Sequence, residues 1–189
     1  MKTVIIKAND SMNKAVEILK RGGLIIYPTE TQYGIGADVS NDEAIRKVLE
    51  VKKRQEDKKI IWAFSDMRMI KKYFSLNKEQ EKLVSKLMPG PFTLVVNGQG
   101  FRIPDNKTAA KIIKQFGKPI TTTSANISGK DPPNKIADVV KLFDGKVDII
   151  IDTGNIRKNR PSTVFRWEDK RIVRKGPMNR KEIMEALKS

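Results

Sequence analysis

Apolar positions along the chain fall into short blocks of two periods, and the blocks predict an alternation of strands and helices. Leu24-Ile25-Ile26-Tyr27 is an unbroken apolar run and reads as a buried strand. The amphipathic stretch before it, from about Met12 to Lys20, predicts a helix ended by Gly22 and Gly23. Pro28 to Gly36 then reads as a polar loop at the strand's end. Ser40 followed by Glu43 predicts a capping box opening a helix, with Ala44, Ile45, Val48 and Leu49 on its core face. Ile60–Phe64 reads as a strand, and Asp66–Phe74 and Asn77–Met88 as helices. Pro89-Gly90-Pro91 breaks the helical pattern and forces an extended entry into Phe92–Val96, which Asn97-Gly98-Gln99-Gly100 turns back as Phe101–Pro104, a β-hairpin.

A helix follows from Pro104-Asp105 to near Gly117, then a β-branched strand, Ile120–Thr123. Asn134–Phe143 predicts a helix and Val147–Asp152 a strand. Ser162–Trp167 and Arg171–Arg174 are two more strands, and Asn179 with Glu182 caps a last helix to Leu187. Helices interleaved with both paired and crossover strands imply an α/β fold: a twisted, open, mixed sheet flanked by helices. A length of 189 residues without repeats or linkers argues for one domain over 1–189.

Composition then narrows the chemistry. With no cysteine and no histidine, a disulfide framework, a thiolate nucleophile, a Ser-His-Asp triad and a His-based metal site are all excluded. The longest apolar runs fall far short of the ~20 residues of a membrane span, and the N-terminal strand, set between lysines, does not resemble a secretory signal. A cytoplasmic protein is expected. The net charge of +16, from 38 basic and 22 acidic residues, favours phosphate-bearing partners, although lysines spread over solvated helix faces would give the same total.

Lys118-Pro119-Ile120-Thr121-Thr122-Thr123-Ser124-Ala125-Asn126-Ile127-Ser128-Gly129 is the stretch around which the chain is organised. Its strand stops at small hydroxyl and amide residues, as a ligand-facing turn at the carboxyl end of a strand does, although a plain turn capping a helix would look similar. No P-loop sequence occurs, and Gly34-Ile35-Gly36-Ala37-Asp38-Val39 fails the dinucleotide fingerprint at its last position. A nucleotide would instead need scattered cations: Lys52, Arg54 and Lys58 from one basic loop, Arg102 from the hairpin and Arg174 from the last strand pair, with Ser124 and Asn126 between them. Charge-assisted hydrogen bonds to phosphate contribute ~1.5 to 3 kcal/mol each, so three or four suffice for micromolar binding. The basic loop also suits the C-terminal dipole of the helix before it, and Arg102 alternates with apolar neighbours as a solvent-facing residue does.

Seven fragments in collinear order, from Gly22 to Gly176, resemble the YrdC-type threonylcarbamoyl-adenylate synthases. They are Tyr27-Pro28-Thr29-Glu30-Thr31 with Tyr33-Gly34-Ile35-Gly36; Lys52-Lys53-Arg54; Pro89-Gly90-Pro91-Phe92-Thr93; Arg102-Ile103-Pro104; Thr123 to Gly129; Ser162-Thr163-Val164; and Arg174-Lys175-Gly176. The resemblance implies a YrdC/RibB-like fold with a central basic cavity. It also implies a reaction joining L-threonine, bicarbonate and ATP, the last with Mg²⁺, and releasing pyrophosphate, for later modification of adenosine in tRNA. Carried over by position, Lys52, Arg54 and Lys58 would grip the triphosphate, Lys52 and Arg54 serving the catalytic step. Ser124, Asn126 and Arg174 would hold the adenylate part. Thr31, Arg102, Thr122 and Ser162 would surround threonine, Arg102 taking its carboxylate. No metal-ligating residue is assigned. Gln55, Lys59 and Asn134 depart from the family's usual residues, which bears on the loop from Gln55 to Ile60.

The resemblance is to the short, single-domain form, and tRNA or double-stranded RNA and a tRNA threonylcarbamoyl transferase complex are the further partners it implies. A non-catalytic factor for ribosomal or double-stranded RNA fits the charge as well. The related carbamoyl-transfer domain of hydrogenase maturation proteins fits less, since that system carries zinc-finger cysteines and this chain has none.

Overall fold

A computed structural model describes residues 2–8, 12–55 and 59–188. In chain order the elements are β1 (Val4–Lys7), α1 (Met12–Lys20), β2 (Ile25–Pro28), β3 (Tyr33–Gly36), α2 (Asp42–Lys52) and β4 (Trp62–Ala63). Then come α3 (Met67–Ile70), α4 (Lys78–Leu87), β5 (Phe92–Val96), β6 (Gln99–Arg102) and α5 (Lys107–Phe116). The remainder is β7 (Ile120–Thr121), β8 (Thr123–Ser124), α6 (Ile136–Phe143), β9 (Ile149–Asp152), β10 (Thr163–Arg166), β11 (Arg171–Arg174) and α7 (Arg180–Lys188).

The mixed α/β class holds, with the strands divided between two mixed sheets. One has the order β1-β9-β2-β3-β8 and the other β11-β10-β5-β6-β4-β7. In the first, β1, β9 and β2 run parallel while β3 and β8 add on antiparallel. Its central strands are apolar over Ile25–Tyr27 and Ile149–Ile151 because both faces are covered: Ile25, Tyr27, Ile149 and Ile151 enter the larger core, Ile26 and Ile150 the smaller one under α2 and α6. Each such side chain contributes ~1.5 to 3 kcal/mol on burial. Against the second sheet, the ring of Phe64 meets that of Phe101 on β6 edge-to-face at 6.0 Å between centroids, and that of Phe74 lies 4.4 Å from it.

The strand read over Ile120–Thr123 is two strands, one in each sheet. Ile120–Thr121 pairs with β4 and Thr123–Ser124 with β3, so Thr122 is the step between sheets. Its backbone N–H donates to Ile61 O at 2.8 Å, while Thr121 N donates to Ala37 O at 2.9 Å. A five-residue run thereby becomes the seam of the molecule. The polar loop read over Pro28–Gly36 is shorter than that, since Tyr33–Gly36 pairs antiparallel along the whole of β2. Two glycines hid this strand, and the reason for Gly36 is steric: a Cβ there would lie 2.8 Å from Ile25 Cγ1 and 3.0 Å from Tyr27 Cε1.

The cap of α2 is Asn41 rather than Ser40. Asn41 accepts from Ala44 N, whereas the Ser40 hydroxyl donates to Asp38 Oδ1 at 2.7 Å. Either side chain can cap a helix, and the Asp38 carboxylate two residues upstream drew Ser40 away. The capping pairs Asn77/Gln80 and Asn179/Glu182 form at the starts of α4 and α7. Near the end of β11, a Cβ on Gly176 would lie 2.3 Å from Thr163 N and 2.4 Å from Pro161 O. Only glycine permits that approach, and it brings Arg174 against Ser162.

Candidate active site

Beside the seam opens a cavity of about 140 Å³ whose wall includes Thr31, Arg54, Arg102, Thr122, Ser124, Ser162 and Arg174. A wider groove of about 530 Å³, between the 131–134 and 156–161 segments, shares Thr31, Gln32, Ser124, Pro161 and Arg174 with it. Residues from six separate stretches of chain thus face one hollow, because β7 and β8 carry the chain from one sheet into the other there.

One wall is built on Lys52. This residue ends α2, yet it is 2% exposed and does not line the cavity. Its ammonium donates to Ser124 O at 2.5 Å, Asn126 O at 2.9 Å and Asn126 Oδ1 at 2.9 Å. The Ser124 hydroxyl donates to the same Asn126 Oδ1 at 2.6 Å, and Ser128 N donates back to Lys52 O at 2.8 Å. Three donors matched to three acceptors is the full valence of an ammonium. The ammonium therefore shapes the Ser124–Asn126 turn from behind the cavity wall, within reach of the Arg54 charge. Asn126 is likewise buried behind that turn rather than lining the cavity. Burial, with Arg54 adding to it, brings Lys52 down from 10.5 to about 8.

Arg54 enters the cavity after Lys53 closes α2 in the left-handed conformation, φ 50°. Its Nη2 donates to Lys59 O at 3.0 Å, which fixes the guanidinium beside the cavity mouth. Lys58 lies outside the described residues. Lys59, read only as a departure from the family pattern, also lines the cavity.

On the opposite side Arg174 Nη2 donates to the Ser162 hydroxyl at 2.8 Å and Nε to Ser162 O at 3.1 Å. Ser162 Oγ and Thr93 Oγ1 are 2.8 Å apart. Partial burial, then the charge of Arg54, holds Arg174 below the usual guanidinium range. Burial pulls Arg102 down to about 10, with Tyr27 opposing and Arg174 adding to the fall. Arg102 thus feels Arg174, and Arg174 feels Arg54, a field suited to a ligand carrying several negative charges.

The remaining wall is the turn Thr29–Gln32. The Thr29 hydroxyl donates to Gln32 O at 2.6 Å and accepts from Thr31 N and Gln32 N, which fixes the turn and sets Thr31 Oγ1 3.0 Å from Thr29 Oγ1. Glu30, in the same turn, is ion-paired with Arg102 Nη2, which also donates to Gly90 O at 3.3 Å. The sequence reading missed this carboxylate. The signal was available, since a buried arginine in a strand requires an acceptor and Glu30 is the one acid in its motif. The Asn159 amide donates to Glu30 O at 2.9 Å, tying the basic 156–161 segment to the turn. Among the described residues no group of three or more His, Cys, Asp or Glu could hold a metal ion, and no helix is long and apolar enough to cross a membrane.

Residues 17–176 match the family model Sua5_yciO_yrdC, described as telomere recombination. A Methanocaldococcus jannaschii protein provisionally assigned as a threonylcarbamoyl-AMP synthase is 35% identical over 181 residues, 87% of this chain and 86% of that protein. The structure of H234A/Y235A P. abyssi Sua5 superposes with a TM-score of 0.90 at 30% identity, covering 97% of this chain and 63% of that one. P. abyssi Sua5 complexed with L-threonine gives 0.87 at 29% identity, covering 98% of this chain and 60% of that one. The chain therefore spans about three-fifths of the P. abyssi Sua5 chains it matches. Coverage of this extent by the family model, with a relative of more than 30% identity along most of both chains, carries one conclusion: the chain belongs to the Sua5/YciO/YrdC family.

Proposed function

We propose that the protein is an L-threonylcarbamoyladenylate synthase, forming threonylcarbamoyl-AMP from L-threonine, bicarbonate and ATP with release of pyrophosphate. The observation that carries this reading is the meeting of Arg54, Arg102 and Arg174 with the hydroxyls of Thr31, Ser124 and Ser162 around one cavity. The M. jannaschii relative bears the name of this activity, and P. abyssi Sua5 has been solved with L-threonine.

The threonine amine attacks the bicarbonate carbon, and loss of water leaves a carbamate. A carbamate oxygen then attacks the α-phosphorus of ATP as the bond from that phosphorus to the bridging oxygen breaks, and pyrophosphate leaves. Such a displacement needs positioning and charge neutralisation more than covalent help from the protein, which suits a wall without histidine or cysteine. Arg54 and Arg174 serve the phosphates, and Arg102 serves the amino-acid carboxylate. Ser124 holds the adenylate side on the turn that Lys52 and Asn126 brace, while Thr31, Thr122 and Ser162 surround the amino acid. Lys58 adds to the phosphate grip, and Mg²⁺ arrives with ATP to share the phosphate charge. Cytoplasmic tRNA is the eventual recipient through a threonylcarbamoyl transferase complex. Arg157, Lys158 and Arg160, exposed in the adjoining groove, favour a polyanionic neighbour at that face.

Incubation with ATP-Mg, threonine and carbon-labelled bicarbonate tests the proposal. The label should appear in an adenylate that also contains threonine, with one pyrophosphate per adenylate. Pyrophosphate release indifferent to threonine and bicarbonate would contradict it.

A further inference from the structure

Among the described residues, two buried side-chain polar atoms have no hydrogen-bond partner, Glu30 Oε2 and Arg102 Nε. They belong to the same ion pair. A buried pair is stable when its lone pairs and protons are all matched, and a half-matched one costs free energy. Glu30 and Arg102 could match completely by the side-on fork of a carboxylate on Nε and Nη2, yet only Nη2 is engaged. The backbone explains the mismatch. The Thr29 hydroxyl locks the turn from inside and Asn159 holds Glu30 O from outside, so the carboxylate reaches Arg102 from a fixed anchor. Arg102 side-chain exposure is 6% and that of Glu30 is 17%, so the acid keeps the freer end. Thr29 and Thr31, on both sides of Glu30, face the cavity with Arg102.

From this we infer that Glu30 is an internal competitor for the carboxylate seat on Arg102: it covers the guanidinium when no amino acid is bound and swings off when a substrate carboxylate takes its place. The inference rests on the reading of Arg102 given above. A ligand's apparent affinity is lowered by the fraction of molecules in which its seat is open, so a pair closed nine times in ten weakens binding about tenfold. Glu30 thereby sets the amino-acid concentration at which the site fills. It also favours ligands able to match both Nε and Nη2 over lone small anions, because only those replace the pair with a better one.

The experiment titrates two ligands by calorimetry into the wild type, Glu30→Gln and Glu30→Ala. One is L-threonine. The other is its α-hydroxy acid analogue, which keeps the carboxylate and lacks the ammonium. Both variants should bind the hydroxy acid several-fold to about tenfold more tightly than the wild type, with ATP affinity unchanged, and a second substitution Arg102→Lys should abolish the gain. Equal or weaker binding of the hydroxy acid, at unchanged ATP affinity, would overturn the inference and leave Glu30 as a support that orients Arg102. Collapse of both variants to unfolded protein would overturn it in the same direction. If no form, wild type included, binds either ligand while ATP still binds, the amino-acid site itself is refuted.

Discussion

The two polar walls of the cavity are built to opposite standards. Behind the Ser124–Asn126 turn, the Lys52 ammonium meets three acceptors at 2.5 to 2.9 Å, and Ser124 donates to Asn126 as well. Across the cavity, the Glu30–Arg102 pair leaves one oxygen and one nitrogen without partners. A fully matched network fixes one geometry, whereas a half-matched pair has a second arrangement within reach. The difference teaches a division of labour, a rigid wall and an exchangeable one, which under the proposed function serve the nucleotide and the amino acid respectively.

Removing the rigid wall should have the largest effect. Lys52→Met keeps the bulk of the side chain but removes three charge-assisted hydrogen bonds, to Ser124 O, Asn126 O and Asn126 Oδ1, at roughly 1 kcal/mol or more each. Urea denaturation should therefore register a loss of about 3 kcal/mol and ATP affinity should fall. A variant of wild-type stability that loses only catalysis would return Lys52 to direct phosphate contact. Next comes Gly176→Ala, in which the added carbon meets Thr163 N and Pro161 O closer than atoms can approach. Overpacking of this kind costs about 1 to 3 kcal/mol. Because the displaced backbone carries Ser162 and sets Arg174 on it, the KM for ATP and the KM for threonine should both rise.

Arg102→Lys tests the exchangeable wall. An ammonium cannot form the planar double contact, so the threonine KM should rise about tenfold with the ATP KM unchanged. The smallest effect is in pH. The unfolded Lys52 binds its proton up to 10.5, whereas the folded one releases it near 8. The unfolded state therefore holds more protons between these values, and stability rises with pH across that window, by on the order of 1 kcal/mol after allowance for solvent screening. The rise should be read below about 9, before Arg102, brought down to about 10, begins to release its proton, and it should vanish in Lys52→Met.

Much of this was legible in the chain. Strands such as Phe92–Val96 and helices such as Lys107–Phe116 follow from period and caps, which are local properties. Convergence of Arg54, Arg102, Ser124, Ser162 and Arg174 was legible through their motifs. What could not be read was which way a side chain leaves the backbone. Lys52 and Arg54 are two residues apart in one basic run, yet the helix end sends one beneath a turn and the left-handed Lys53 sends the other to the cavity. The seam was illegible for a related reason. Ile120 to Ser124 has the composition of one strand, and only the presence of two partner strands, β4 and β3, divides it at Thr122.

The most direct measurement is a crystal structure of the protein with L-threonine and a non-hydrolysable ATP analogue. The account predicts the threonine carboxylate on Arg102 with Glu30 turned away, the triphosphate between Arg54 and Arg174, and Lys52 still holding Ser124 and Asn126. An amino acid bound away from Arg102, or a triphosphate held by the Lys52 ammonium, would contradict it.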